Sequence, residues 1–184
     1  MQDDNSSPYQ PPESSVELIE EITTEASYFS TSTLKLAVMS ICTFGLYDLY
    51  WFYKNWELIK AQTGENIMPF WRAFFAPFWA YSCFNHIKAS ANDADVPESL
   101  PVGLLAIVYF AIQALWRVPD PYWLISYLSF APLIPANTLA VRINLKQNPN
   151  FTNNTRFSGW NWCGVVLGGS VFALGLLGTF MPEV

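Results

Sequence analysis

Three ionisable residues of this sequence lie within or beside apolar stretches, where their chemistry could matter: Asp48, Arg72 and His86. A charged group inside a membrane costs about 2.5–3.5 kcal/mol on insertion scales, so such groups usually pair with one another or line a cavity. Asp48 and Arg72 carry opposite charges on neighbouring segments. Either they form an ion pair, or each side chain reaches separately to the lipid headgroups.

The only histidine, His86, shares a predicted helical face with other polar or polarisable side chains. At 100° per residue, that face contains Arg72, Trp79, Ser82 and Cys83. Lipid contact disfavours such a polar face, so we expect it to point into protein. A lone histidine cannot form a zinc site, which needs three or four ligands. It is more typical of a packed residue than of a proton relay.

The sequence contains no recognisable catalytic motif. It has no Ser-His-Asp set, HExxH, phosphate-binding glycine loop or pair of catalytic carboxylates, and its three cysteines lack metal-ligand spacing. We therefore predict no enzymatic activity, no metal site and no cofactor. The favoured role is structural or accessory, and the alternative is a small-solute or ion carrier with a polar site at Asp48, Arg72 and His86.

The composition indicates a lipid environment. Of the 184 residues, 52% are hydrophobic and only 13% are charged, whereas a soluble domain carries about 25% charged residues. The formal charge of −6 and the lack of a basic cluster argue against nucleic acid as a partner. The lipid bilayer is the predicted partner.

Five apolar segments predict an all-α integral membrane protein with five membrane-embedded helices. Pro77, Pro132 and Pro135 lie inside the second and fourth segments and are expected to kink their helices. The segments are Leu34–Tyr53, Pro69–Ile87, Leu100–Trp116, Tyr122–Val141 and Cys163–Met181.

The first two segments have two possible arrangements. If all five segments cross the membrane, the basic residues divide into five inside and four outside, which gives almost no orientation signal. If the first two form a shallow re-entrant hairpin, Lys54, Lys60 and Arg72 move inside and the division becomes eight to one. Each of these segments has a clean apolar run of only about a dozen residues, which suits a re-entrant piece. Both arrangements place the N-terminus in the cytosol.

Residues 1–32 differ from the rest of the chain, because they contain seven acidic residues and no lysine or arginine. Three prolines and a charge of one sign are typical of disorder. We predict an acidic, disordered cytosolic tail over residues 1–32 and a helical membrane domain over residues 33–184.

An aromatic-rich stretch, TFGLYDLYWFYKNW, covers residues 43–56 and contains seven aromatic side chains. Tryptophan and tyrosine favour the membrane interface, so we interpret this stretch mainly as an interfacial belt, with a packed core or ligand cage as alternatives. The pattern TxGxYxxYWxYK resembles the signature of small bacterial integral membrane proteins in a domain-of-unknown-function family. The resemblance covers residues 33–90 and implies a location in the bacterial inner membrane, without implying any activity.

The fifth segment contains a small-residue face suited to helix packing. Gly164 and Gly168 form a GxxxG motif, and Gly175 extends the same face by one heptad. Small residues allow helix backbones to approach closely. The pattern leaves open whether the partner helix belongs to this chain, to a second copy or to another membrane protein.

Overall fold

The computed structural model describes residues 26–119 and 121–180, and these residues form seven α-helices. The all-α prediction is therefore confirmed for this part of the chain. The α-helices are α1 (Thr33–Cys42), α2 (Leu46–Thr63), α3 (Pro69–Phe74), α4 (Ala76–Asp93), α5 (Val102–Ala114), α6 (Leu133–Gln147) and α7 (Gly159–Phe180). Two 3-10 helices, Leu115–Arg117 and Tyr122–Phe130, lie between α5 and α6.

The first predicted segment is divided into α1 and α2 by a tight turn. Phe44 and Gly45 both have left-handed backbones, with φ of 56° and 81°. Gly45 N donates to Ser40 O at 2.9 Å and Phe44 N donates to Ile41 O at 3.3 Å, the two hydrogen bonds of a Schellman motif. The motif ends α1 after ten residues.

The second predicted segment is divided at Phe75 into α3 and α4. Pro77 lies in the first turn of α4, where its missing N–H removes no helical hydrogen bond. In a continuous helix the same proline would clash with the carbonyl of Ala73, so the helix restarts instead. Five predicted segments therefore give seven helices, because each of the first two is interrupted once.

Within the described part of the chain, two helical stretches are long and apolar enough to cross a membrane. They are Tyr122–Gln147, with a mean hydropathy of 1.5, and Gly159–Thr179, with a mean hydropathy of 1.7. The apolar helices Thr33–Cys42 and Val102–Arg117 are shorter. At a rise of 1.5 Å per residue, the ten residues of α1 extend only about 15 Å, half the thickness of a hydrocarbon core.

The core of the described region is built around α2. Trp51, Phe52 and Trp56 are completely buried, and Tyr47 is nearly so. Phe52 packs against Phe84 of α4 and Tyr109 of α5, among other rings. The interfacial-belt interpretation is therefore wrong for these four residues. Their apolar spacing could not distinguish a lipid-facing side from a protein-facing one.

Residues 26–32, named here the N-terminal strap, are packed into the bundle ahead of α1. All but Ser27 and Ser32 are buried. The packed region therefore begins before residue 33, and this moves the boundary predicted from the sequence. Residues 1–25 lie outside the described residues, so the disordered acidic tail stays a prediction there.

Candidate functional site

Asp48 is completely buried between α1, α2 and the 3-10 helix Tyr122–Phe130. The Ser40 hydroxyl of α1 donates to its Oδ1, and the Ser129 hydroxyl donates to its Oδ2 at 2.6 Å. The turn at Phe44 and Gly45 brings Ser40 to Asp48. Both carboxylate oxygens are thus hydrogen-bonded, as a buried polar group requires.

Asp48 also lies in the first turn of α2, and the amino end of a helix carries a partial positive charge. The ion pairs among the described residues are Lys54–Glu57 and Lys88–Glu98. The Asp48–Arg72 ion pair, one alternative from the sequence, is therefore not formed.

The Arg72 guanidinium instead lies over two tryptophan rings. Its guanidinium carbon lies 4.5 Å from the ring centroid of Trp56 and 4.5 Å from that of Trp79. The two rings are 6.5 Å apart and almost perpendicular. A guanidinium over a tryptophan face is stabilised by the ring quadrupole. Trp56 belongs to the buried core, so the arginine is held by a fixed partner.

His86 meets the same tryptophan from another side, with its ring 5.9 Å from Trp56 in an edge-to-face arrangement. The predicted polar face of the second segment thus does point into protein at His86, although the break at Phe75 places Arg72 on a separate helix. His86 and Arg72 share Trp56 as a neighbour. Asp48 is bonded to a different set of side chains.

The three predicted site residues lie apart from the two surface cavities found among the described residues. One surface cavity of about 430 Å³ lies between α4 and α6, where it is lined by Ser90, Asp93, Ala94, Lys146 and Gln147. A second, of about 220 Å³, lies near Leu100 and Arg142. Neither includes Asp48, Arg72 or His86. Among the described residues, His, Cys, Asp and Glu side chains form no group of three that could hold a metal.

Two asparagines of α6, which the sequence analysis did not single out, hold the N-terminal strap. Tyr28 N donates to Asn144 Oδ1 at 3.0 Å, and Asn144 Nδ2 donates to Tyr28 O at 2.7 Å. In the same way, Thr31 N donates to Asn137 Oδ1 at 3.0 Å and Asn137 Nδ2 donates to Thr31 O at 2.6 Å. Each amide thus satisfies both backbone groups of one residue, as a neighbouring β-strand would.

Further hydrogen bonds hold the strap between its pairings with Asn144 and Asn137. Asn55 of α2 donates to Phe29 O at 3.2 Å, and the Ser30 hydroxyl donates to Asn153 Oδ1 at 3.1 Å. The Tyr28 hydroxyl lies 2.6 Å from Ser90 Oγ of α4. Burial raises the pKa of this hydroxyl above its ordinary value, which keeps it protonated and able to donate.

The loop before α7 covers the other side of the strap. Thr31 forms an isolated parallel bridge with Asn154, and its hydroxyl donates to Asn154 O at 2.7 Å. The buried Lys35 donates to Asn154 Oδ1 at 2.7 Å and to Arg156 O at 2.6 Å. A buried ammonium group is thus satisfied by neutral oxygens, which fix this loop to α1.

The spacing of the two asparagines was the only sequence signal for this arrangement. Asn137 and Asn144 are seven residues apart, two helical turns, so they share one face of α6. Buried asparagines on an apolar helix need hydrogen-bond partners. Nothing in the spacing indicated that the partners would be backbone groups more than 100 residues earlier.

The three glycines of the predicted packing face of α7, Gly164, Gly168 and Gly175, face the rest of the chain. A Cβ at Gly168 would overlap the backbone carbonyl of Cys42, and one at Gly164 would lie 3.7 Å from Thr43 Cγ2. A Cβ at Gly175 would lie 3.9 Å from the Trp123 ring. The glycine face therefore packs on α1 and on the 3-10 helix Tyr122–Phe130. Its partner is within this chain.

No known protein family, curated protein or solved structure matches this chain. The resemblance of residues 33–90 to a bacterial membrane-protein family therefore stays a prediction.

Proposed function

We propose that this protein is an integral membrane protein with a structural or accessory role and without enzymatic activity. Its outer surface supports this role, because large apolar side chains are exposed on several helices. Phe78 is 71% exposed on α4, Ile107 is 68% exposed on α5, and Leu167 is 71% exposed on α7. Exposed apolar patches of this kind mark lipid or protein contact.

The accessory role is supported by the contacts of the polar side chains inside the protein. Asp48 is hydrogen-bonded to two serines, and Arg72 lies over two tryptophan rings. Asn137 and Asn144 hold the backbone of the strap. A carrier needs polar groups that converge on a cavity. These groups connect parts of the chain instead, so the carrier hypothesis has less support.

We further propose five membrane-embedded segments, with the first two forming the re-entrant hairpin. The contacts of Ser27 support this arrangement: Gln62 at the end of α2 donates to its carbonyl, and its hydroxyl donates to Gln147 at the end of α6. The ends of α2 and α6 therefore lie together. If α2 ended on the opposite side of the membrane from α6, they would be separated by the thickness of the bilayer.

The same orientation places the N-terminus and the end of α6 on the cytosolic side of a bacterial inner membrane. In this orientation eight of the nine basic residues lie on the cytosolic side, which is the side where lysine and arginine are enriched in membrane proteins. The bilayer is then the main partner. A membrane-protein partner or a second copy would contact the outer face of α7, because the glycine face is occupied by α1.

Two measurements test this proposal. The tagged full-length protein should remain in the membrane pellet after alkaline carbonate extraction, and release into the supernatant would contradict membrane integration. In mild detergent, light scattering should give a protein mass above the 20.9 kDa of one chain.

The variant Leu167→Ala/Leu174→Ala on the outer face of α7 should lower that mass. Leu104→Ala/Ile107→Ala on α5 is the matched control, since these leucine and isoleucine side chains are similarly exposed. A monomeric mass for the unmodified protein would argue against self-association through α7.

A further inference from the structure

The Arg72 guanidinium is oriented but not neutralised. Its carbon lies over the ring of Trp56, which is completely buried, and over the ring of Trp79, which is 39% exposed. A planar guanidinium can lie parallel to only one of two perpendicular rings, so the N–H donors directed away from both rings are the ones available to a ligand. Among the described residues, no hydrogen bond or ion pair occupies these donors.

The depth of Arg72 in the bundle is set by its contact with Trp56. Trp56 lies seven residues before Thr63, the last residue of α2, and this corresponds to about 10 Å along the helix. In the hairpin arrangement the end of α2 is at the cytosolic surface. Arg72 would then lie near the boundary between headgroups and acyl chains, where its long side chain can reach a headgroup.

The aromatic residues next to Arg72 in the sequence also favour a position at the membrane interface. Trp71, the residue before Arg72, is 53% exposed. The rings of Phe70, Phe74 and Phe75 are also exposed. These rings contact one another, with Phe70 and Phe74 stacked at 6.3 Å. Such aromatic side chains favour the interfacial region of a bilayer.

We propose that Arg72 binds the phosphate of an anionic phospholipid, an inference that rests on the membrane embedding proposed above. A guanidinium edge matches a phosphate group with two parallel hydrogen bonds. The two tryptophans pre-orient the guanidinium, so little side-chain freedom is lost on binding. An anionic lipid carries a net negative charge that balances Arg72, whereas a zwitterionic lipid brings its own cation to the site.

Native mass spectrometry of the full-length protein tests this assignment. The protein is mixed with phosphatidylglycerol and phosphatidylcholine, and the retained lipids are counted. We expect preferential retention of phosphatidylglycerol, and about a tenfold loss of that preference in Arg72→Gln. Arg72→Lys should be intermediate, because lysine keeps the charge but loses the bidentate edge.

Arg142→Gln is the matched control, since it removes an exposed arginine from α6. Equal retention by the unmodified protein and Arg72→Gln, or an equal loss in Arg142→Gln, would overturn the assignment. A soluble anion would be indicated if inorganic phosphate alone, without lipid, raised the unfolding temperature of the unmodified protein but not of Arg72→Gln, and that result would also overturn it.

Two checks keep the test interpretable. The unfolding temperature of Arg72→Gln in phosphatidylcholine shows whether the variant is folded, and Arg72→Lys supplies the comparison if it is not. Failure of the protein to enter lipid nanodiscs would contradict the proposed membrane embedding. Normal entry without phosphatidylglycerol preference would contradict only the Arg72 site.

Discussion

The side-chain amide of Asn144 pairs with both backbone groups of Tyr28, accepting from its N–H at 3.0 Å and donating to its carbonyl at 2.7 Å. Because Asn137 repeats this pairing at Thr31, α6 recognises an extended segment at two points. The strap joins α6 to α2 and α4 through further hydrogen bonds. Residues just before α1 are therefore part of the folded unit.

Asn144→Ala is expected to destabilise the protein by about 1–3 kcal/mol, because it leaves buried backbone groups of Tyr28 without partners. Thermal unfolding in mild detergent measures the effect. Thr138→Ala, an exposed change on the same helix, should cost less than about 0.5 kcal/mol. Similar unfolding temperatures for the two variants would show that the strap contributes little to stability.

The sequence was sufficient for the helical class and for the last helix, because long apolar stretches carry a strong signal. It failed at the two interruptions, one set by left-handed backbones at Phe44 and Gly45 and the other by Pro77. A phenylalanine with positive φ has no sequence signature.

The buried aromatics show a second limit of sequence reasoning. In a membrane, the side facing lipid and the side facing protein are both apolar, so periodicity does not say which one is buried. Trp51 and Phe52 therefore resembled interfacial residues although they are completely buried. The surroundings of Arg72 were equally hidden in the sequence. Its charge was evident, but its position over Trp56 and Trp79 depends on how α2, α3 and α4 pack.

Gly168→Leu is expected to lower the thermal stability, because even a Cβ at this position overlaps the Cys42 carbonyl. Overpacking typically costs about 1–3 kcal/mol, and a backbone neighbour cannot move aside as a side chain can. Val166→Leu is the control, since Val166 is 62% exposed on the outer face of α7. Equal unfolding temperatures in detergent would show that α7 does not pack on α1 through Gly168.

Asp48→Asn should be tolerated better than Asp48→Leu. An asparagine amide can accept from one serine hydroxyl and donate to the other, so it keeps the link between Ser40 and Ser129. Leucine leaves both hydroxyls without their acceptor and should cost about 1–3 kcal/mol more in unfolding experiments. If the two variants are equally destabilised, the negative charge of Asp48 rather than the link between the two serines stabilises this part of the fold.

The location of Lys60 tests the re-entrant hairpin. α1 is too short to cross a bilayer, and Gln62 meets the same residue, Ser27, as Gln147 at the end of α6. We therefore expect Lys60, exposed near the end of α2, to lie in the cytosol. A single cysteine at this position, in a variant lacking Cys42, Cys83 and Cys163, should react with a membrane-impermeant maleimide only in inside-out vesicles.

Two further single-cysteine variants calibrate this labelling. Arg156→Cys is cytosolic and Arg117→Cys is external in both arrangements of the first two segments, and both positions are exposed. If Lys60→Cys follows Arg156→Cys, the end of α2 lies on the same side as the loop before α7, as the Ser27 contacts require. If it follows Arg117→Cys and is labelled in intact cells, α2 ends outside, five segments cross the membrane, and the packing of Gln62 beside Gln147 is not that of the membrane-embedded protein.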